Sequence, residues 1–368
     1  MLGKLTPLFD WLMYDSQPRA QPREVVDRLL AEVRAGMDDL EHYLDHPPPP
    51  KRFNLGDVRL RVHWLVEPTR DDWVRAEKLW RRVFEMGGTG SSYMQEDVLS
   101  LIAYAADPAT IPFWLEVLGV RRVRDKFAKR RRDFACSALG LIMSHGDKAG
   151  EEALWQCTQH ELPEVRASAL TALIAVLQNP EHQPSKKAIE RLNGIATKNS
   201  AFADRALARI GLFAFEQPLP LDNPGGVYAI KTYFRGARQL YRTIEMRSEQ
   251  MLDRLLSAWL HALHWDSDHL HTFYLSTEDR DMRFALDPEY GLPGAPDSHE
   301  LKIGNLGLSL GDRFTCNYDF GDNHWFEMQV VAIHPADKVV QASYPRVIDS
   351  HGDAPDQYGR GDGDEGDF

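Results

Sequence analysis

Apolar positions in the first 215 residues recur every third or fourth place, and beyond residue 226 they tend to alternate. Val25, Val26, Leu29, Leu30, Val33, Met37, Leu40 and Leu44 make one stripe. That spacing predicts a helix over 22–44, with Pro22 suited to its first turn and "DHPPPPKR" closing it. Two patterns compete over 55–66. Val58, Leu60, Val62 and Trp64 alternate as in a strand, while Leu55, Val58, Val62 and Leu65 step as in a helix. The helical neighbours favour a helix there. From Asp71 to Met86, Trp73, Ala76, Leu79, Trp80, Val83 and Phe84 form a second stripe, and Thr69 with Asp72 reads as its N-cap pair.

From about residue 95 the pattern repeats. "EDVLSLIAYAADPATIPFWLEVL" reads as helix, Asp-Pro turn, helix, and "RDFACSALGLIMSHGDKAGEEALWQC" does the same around Gly-Asp. "PEVRASALTALIAVLQNP" opens a third unit and "FADRALARIGLFAF" a last one. Val98, Phe134 and Val165 hold equivalent places, at spacings of 36 and 31. A helix pair of that size cannot bury its apolar face alone, so neighbours must stack. "PEVRASALTAL" resembles the first helix of HEAT-like repeats. The resemblance covers 95–215 and implies a curved helical solenoid that presents a binding surface.

"EQPLPLDNPGG", residues 216–226, is a linker by composition. After it "VYAIKTYF" is strand-like, and Ser248 is placed to cap a helix striped by Met251, Leu252, Leu255, Leu256, Trp259, Leu260 and Leu263. "HTFYLS" reads as a strand, then a polar insert runs from Thr277 to Pro296. "RFTCNYDF" and "WFEMQVVAI" flank a "GDN" hairpin turn, and "KVVQASYPRV" is one more strand. The expected architecture is multidomain. An all-α HEAT-like domain over 1–215 and the linker precede an α+β domain with a mainly antiparallel sheet over 227–348. A mobile acidic tail over 349–368 completes it.

Charge sharpens that division. Residues 1–220 hold 30 Lys+Arg and 30 Asp+Glu, whereas 221–368 hold 13 and 25, which accounts for the whole net charge of −12. The general field of the rear part therefore repels nucleic acid. The three cysteines, Cys136, Cys157 and Cys316, match no zinc or redox spacing and read as core thiols in a reducing cytoplasm. No apolar run is long enough for a membrane span, so no membrane partner is expected, and "MLGKLTPLFDWLMYD" is too interrupted for a signal peptide.

The densest candidate chemistry is "HWDSDHLHTFYL", His264 to Leu275, with His261 just upstream. On a helical wheel His261 falls opposite the apolar stripe, and His264 lies at the C-terminal end, where the dipole favours a proton. His269 and His271, two apart on a forming strand, share one face at about 6.6 Å. Zinc needs three or four convergent ligands, and this spacing matches no zinc signature, so neither metal nor cofactor is expected. Phe314, Cys316, Tyr318 and Phe320 share a core-like face. Trp325 falls on the more polar side of its strand, either exposed as a binding aromatic or covered by the insert 277–296. Asp319 and Asp322 at the glycine turn suit either turn chemistry or acid–base work.

"LYRTIEM", "ALHWDSDHLHTF", "YDFGDNHWFEM" and "DAPDQYG" occur in that order over 226–360. The series resembles the plasmid pRiA4b ORF-3-like family, which implies a compact α+β domain, no established reaction, and a setting beside bacterial mobile elements. Its "GW…HLH.F" corresponds to Trp265, His269, Leu270, His271 and Phe273, and its "YDFGD" to Tyr318, Asp319, Phe320, Gly321 and Asp322. The family tends to carry Trp then His at alternate positions after that turn. This chain departs there, with His324, Trp325 and Phe326.

One basic run stands out: Arg121, Arg122, Arg124, Lys126, Lys129, Arg130, Arg131 and Arg132, against Asp125 and Asp133. It is a candidate surface for nucleic acid or another polyanion, or a clamp for the chain's own acidic tail. The chain reads as a cytoplasmic, non-catalytic binding or scaffold protein with a protein partner, within a mobile-element or defence setting. The rival is a nucleic-acid-processing accessory or metal-dependent hydrolase that uses the basic run with Asp319, Asp322, His269 and His271.

Overall fold

The computed structural model describes residues 22–49, 52–63, 65–121, 125–179, 182, 184–197, 201–277 and 281–358. The N-terminal segment read above, Trp64, Arg122, Arg124 and the acidic tail from Gly359 onward lie outside these. Among the described residues nine helices precede the first strand, and all seven strands join one antiparallel sheet, as the change of period predicts. No described helix is long and apolar enough to cross a membrane. The chain forms two compact units, one spanning 4–183 and one built from residue 184 onward.

The first unit holds α1 (Arg23–Asp45), α2 (Arg70–Met86), α3 (Ser91–Tyr104), α4 (Ile111–Gly119), α5 (Ala128–Ser144), α6 (Lys148–Cys157) and α7 (Pro163–Leu177). Local chemistry starts several of these. The Thr69 backbone N–H donates to Asp72 Oδ2 at 2.9 Å and its hydroxyl to the same oxygen at 2.6 Å. Asp147 Oδ1 accepts from the backbone N–H groups of Ala149 and Gly150 at 2.7 and 3.1 Å, which caps α6 at the Gly-Asp turn. Residues 55–66 are not the expected helix. Leu55–Asp57 makes a tight turn instead, held by Asn54 Oδ1 on the Gly56 N–H. Leu55, Leu60 and Val66 are buried there, a spacing that fits neither period. Helices α3, α5 and α7 are neighbours, with Val98, Phe134 and Val165 fully buried among them.

The second unit opens with α8 (Lys186–Thr197) and α9 (Phe202–Ala214). The sheet follows: β1 (Val227–Phe234), β2 (Ala237–Arg247), β3 (His271–Tyr274), β4 (Ala285–Leu286), β5 (Arg313–Tyr318), β6 (His324–His334) and β7 (Arg346–His351), with α10 (Asp253–Leu263) between β2 and β3. Strand order is β4-β3-β5-β6-β1-β2-β7. α10 buries Leu255, Leu256, Trp259, Leu260 and Leu263, and the Trp259 ring meets Phe326 edge-on at 5.4 Å. Ser248 does not cap this helix, because Met251 first bridges to Lys302 and the helix begins at Asp253.

The last strand lies later than the alternation suggests. Residues 336–338 form a tight turn and Pro345 has no N–H to give a ladder, so pairing with β2 starts at Arg346. It runs through Asp349, inside the segment expected to be a tail. From there to Tyr358 the chain stays docked: Trp265 Nε1 donates to Pro355 O at 2.8 Å, and Gln357 is 7 % exposed.

Candidate functional site

His269 sits where the corner after α10 meets the β5–β6 turn. Its Nδ1 lies 3.5 Å from Asp319 Oδ2, and its Nε2 lies 3.1 Å from Tyr358 Oη and 3.4 Å from Asp268 Oδ1. The Tyr358 hydroxyl also reaches Asp266 Oδ2 at 3.4 Å. Asp319 occupies left-handed backbone, φ 53°, where aspartate is tolerated because its side chain bonds locally. Its Oδ1 accepts from the Gly321 N–H at 3.0 Å and the Asp322 N–H at 3.3 Å, and its own N–H donates to Leu270 O at 3.0 Å. One oxygen of Asp319 thus builds the turn while the other faces the imidazole.

His271 does not join this group. The strand begins at His271, so His269 precedes the pleat and the expected shared face does not form. His271 instead bonds Ser298 Oγ at 3.2 Å and packs edge-on against Phe273 and His299. Burial, and then the nearby His299, lower its pKa. Asp322 is exposed at the turn. Tyr318 is buried and donates to Asp266 O; burial pushes its phenol up. Among the described residues no group of three His, Cys, Asp or Glu side chains could hold a metal ion. His261 is exposed, as the helical wheel predicts.

Phe314, Cys316 and Tyr318 are buried on the α10 side, but Phe320 is 46 % exposed because the chain turns at Asp319. Trp325 is 8 % exposed. It packs against Tyr274 and Ala285, with Met282 alongside, so the insert covers it and it presents no free ring. Its Nε1 donates to Asn323 Oδ1 at 3.0 Å.

The basic run is largely tied up. Arg131 is fully buried, its Nη2 2.6 Å from Asp125 Oδ2 and its guanidinium 5.0 Å from the Phe84 ring centroid. Arg132 is buried against Glu164 at 2.7 Å, Arg130 pairs with Glu96, and Arg121 with Glu161. Lys126 and Lys129 are exposed. Arg130, Arg131 and Arg132 lie at a helix start that locks onto its neighbours, so these three do not form one free cationic face. Sequence reasoning missed Tyr358, gave Leu270 no role beyond its motif, and read Phe320 as core. Tyr358 reaches His269 across 89 positions, a relation no local spacing reveals.

Fold and site together define a two-unit protein, helical at first and α+β afterwards, with a polar His–Asp–Tyr chain at one end of its sheet. Residues 228–361 match the family described as plasmid pRiA4b ORF-3-like protein. Among solved structures, a protein of unknown function from Methanosarcina mazei Go1 is 20 % identical. That match covers 35 % of this chain and 71 % of the other, with a TM-score of 0.28. No curated protein matches.

Proposed function

We propose that this chain is a non-catalytic binding protein, in which a HEAT-like helical scaffold precedes an α+β recognition domain. The observation that carries the reading is the set of exposed apolar side chains around His269. Leu270 is 74 % exposed, Phe320 46 % and Tyr358 53 %. They cluster because the Leu270 and Asp319 backbones are bonded and Tyr358 lies on His269. Exposed apolar groups gathered beside a polar rim mark a docking surface more often than scattered ones do. The rim here is acidic, Asp266, Asp268, Asp322 and Asp356, so the fitting partner is a protein with a basic, apolar segment.

The HEAT-like part of the proposal draws support from ion pairs one repeat apart. Arg130 with Glu96, Arg132 with Glu164, and Arg81 with Glu116 are separated by 34, 32 and 35 positions. Such pairs staple equivalent turns of successive helix pairs side by side. The mobile-element or defence setting comes from the family resemblance, and the cytoplasmic one from the three cysteines read as reduced core thiols.

A second reading, a hydrolase or nucleic-acid-processing accessory, is favoured by one observation only: the Asp319–His269–Tyr358 chain orders a carboxylate, an imidazole and a phenol. The test compares capture by the full chain from a native-host extract with capture by Leu270→Asp and Phe320→Asp. A partner retained by the parent and lost from both variants supports the binding reading. Equal capture by all three ends it. Turnover of a phosphodiester or ester, abolished by Asp319→Asn, transfers the case to the second reading.

A further inference from the structure

The face of the sheet opposite α10 carries an unassigned row of rings. Tyr233, Tyr241 and His351 are direct partners across β1, β2 and β7. The Tyr233 and Tyr241 centroids are 6.0 Å apart. Tyr241 and His351 are 5.7 Å apart, with planes only 19° from parallel. Lys231, next on the same face, holds its Nζ 3.3 Å from the Tyr241 centroid and 5.5 Å from Tyr233. At the other end of the strands Tyr344 lies under two guanidinium groups, Arg247 at 5.0 Å and Arg346 at 5.3 Å. The tyrosines are half-buried and His351 is exposed. The insert that covers Trp325 packs on the β3–β5 side of the sheet.

We propose that this face of β1, β2 and β7 is a stacking platform for single-stranded nucleic acid. Cross-strand aromatic pairs steady any sheet. Three rings on three adjacent strands beside cations that already lie over ring faces, however, suit splayed bases and the phosphates that join them. Lys231, Arg247 and Arg313 stand on this face, while Arg346 and Arg238 are bonded to Glu245 and Glu327. Asp349 is the opposing exposed acid. A duplex hides its base faces and gains only the phosphate contacts. The net charge of −12 works against long-range attraction. Screening confines that field to about 8 Å at physiological salt, so cations in contact with the strand decide binding. This face differs from the one around His269, and the inference does not depend on the binding reading above.

The experiment uses the full chain and a fluorescein-labelled oligonucleotide of about twelve nucleotides, oligo-dT and oligo-U in turn, followed by anisotropy. The expected result is saturable binding that weakens between about 50 and 200 mM salt. The Tyr233→Ala/Tyr241→Ala pair should weaken it by about tenfold or more. Lys231→Glu should weaken it comparably. Tyr241→Phe, which keeps the ring, should bind as the parent does. Circular dichroism confirms that each variant is folded. Four results would overturn the proposal: no binding by the parent at low salt, a folded double variant that binds normally, equal affinity for a duplex, or loss of binding on Lys126→Glu/Lys129→Glu instead.

Discussion

Arg205, in the last helix before the strands, donates from Nη2 to Asp312 Oδ2 at 2.6 Å, across 107 positions of sequence. Its Nε donates to Gly307 O at 2.7 Å. One turn on, Arg209 bonds Asp222 Oδ2 at 2.8 Å and the Ala196 carbonyl at 2.9 Å. Both guanidinium groups are buried. Helices α8 and α9 are therefore fastened to the sheet that follows them. A chain of residues 184–358 should unfold in one cooperative transition, whereas one of 216–358, which lacks both arginines, should not. Arg205→Ala leaves the Asp312 carboxylate with only the Ser309 N–H among the described residues and should cost about 2 kcal/mol, read as a lower urea midpoint.

Asp72 gives a prediction at low pH. Burial alone raises its carboxyl, but hydrogen bonds from Arg34 at 2.7 and 2.9 Å and from Thr69 outweigh that and bring it down to about 2. A depressed acid stabilises the fold above its unfolded pKa and loses that contribution as pH falls through the folded value. Stability should therefore drop between about pH 4 and 2. Asp72→Asn should lose about 2 kcal/mol at neutral pH and flatten this part of the profile in denaturant titrations.

Asp97, in α3, behaves oppositely. Burial, helped by the neighbouring Glu96 charge, pushes it up to about 7. The unfolded chain releases this proton more readily, so stability should fall as pH rises from about 4 to 7 and then level off. Asp97→Asn should stabilise by on the order of 3 kcal/mol at pH ~8 and by almost nothing at pH ~4. Melting temperatures at the two pH values check it.

Trp325 separates a core role from a surface role. Packed on Tyr274 and Ala285, it should cost about 3 kcal/mol or more when changed to Ala. Trp325→Phe should recover most of that. Capture of a partner by a folded Trp325→Phe variant should match the parent. Reduced capture with unchanged stability would return Trp325 to the surface.

Much of this was legible beforehand. The Thr69–Asp72 cap, the stripe of α10, the β5–β6 hairpin around Gly-Asp-Asn and the burial of Phe314, Cys316 and Tyr318 follow from short-range pattern. The reading of 55–66 failed because Asn54 and Gly56 close a turn that periodicity does not register. Along the basic run, charge counting does not register partners. Glu96 and Glu164, each more than thirty positions away, pair with Arg130 and Arg132.

By itself the sequence determined where helices give way to strands, where several helices begin and which side of each strand is apolar. Those are properties of neighbouring residues: period, capping and turn chemistry act within a few positions. Only the tertiary structure decided that His269 meets Asp319 and Tyr358 while His271 turns to Ser298, that the insert hides Trp325, and that Tyr233, Tyr241 and His351 line up in one row. Each of those meetings depends on strand order and register, which are set by the packing of segments far apart in the chain.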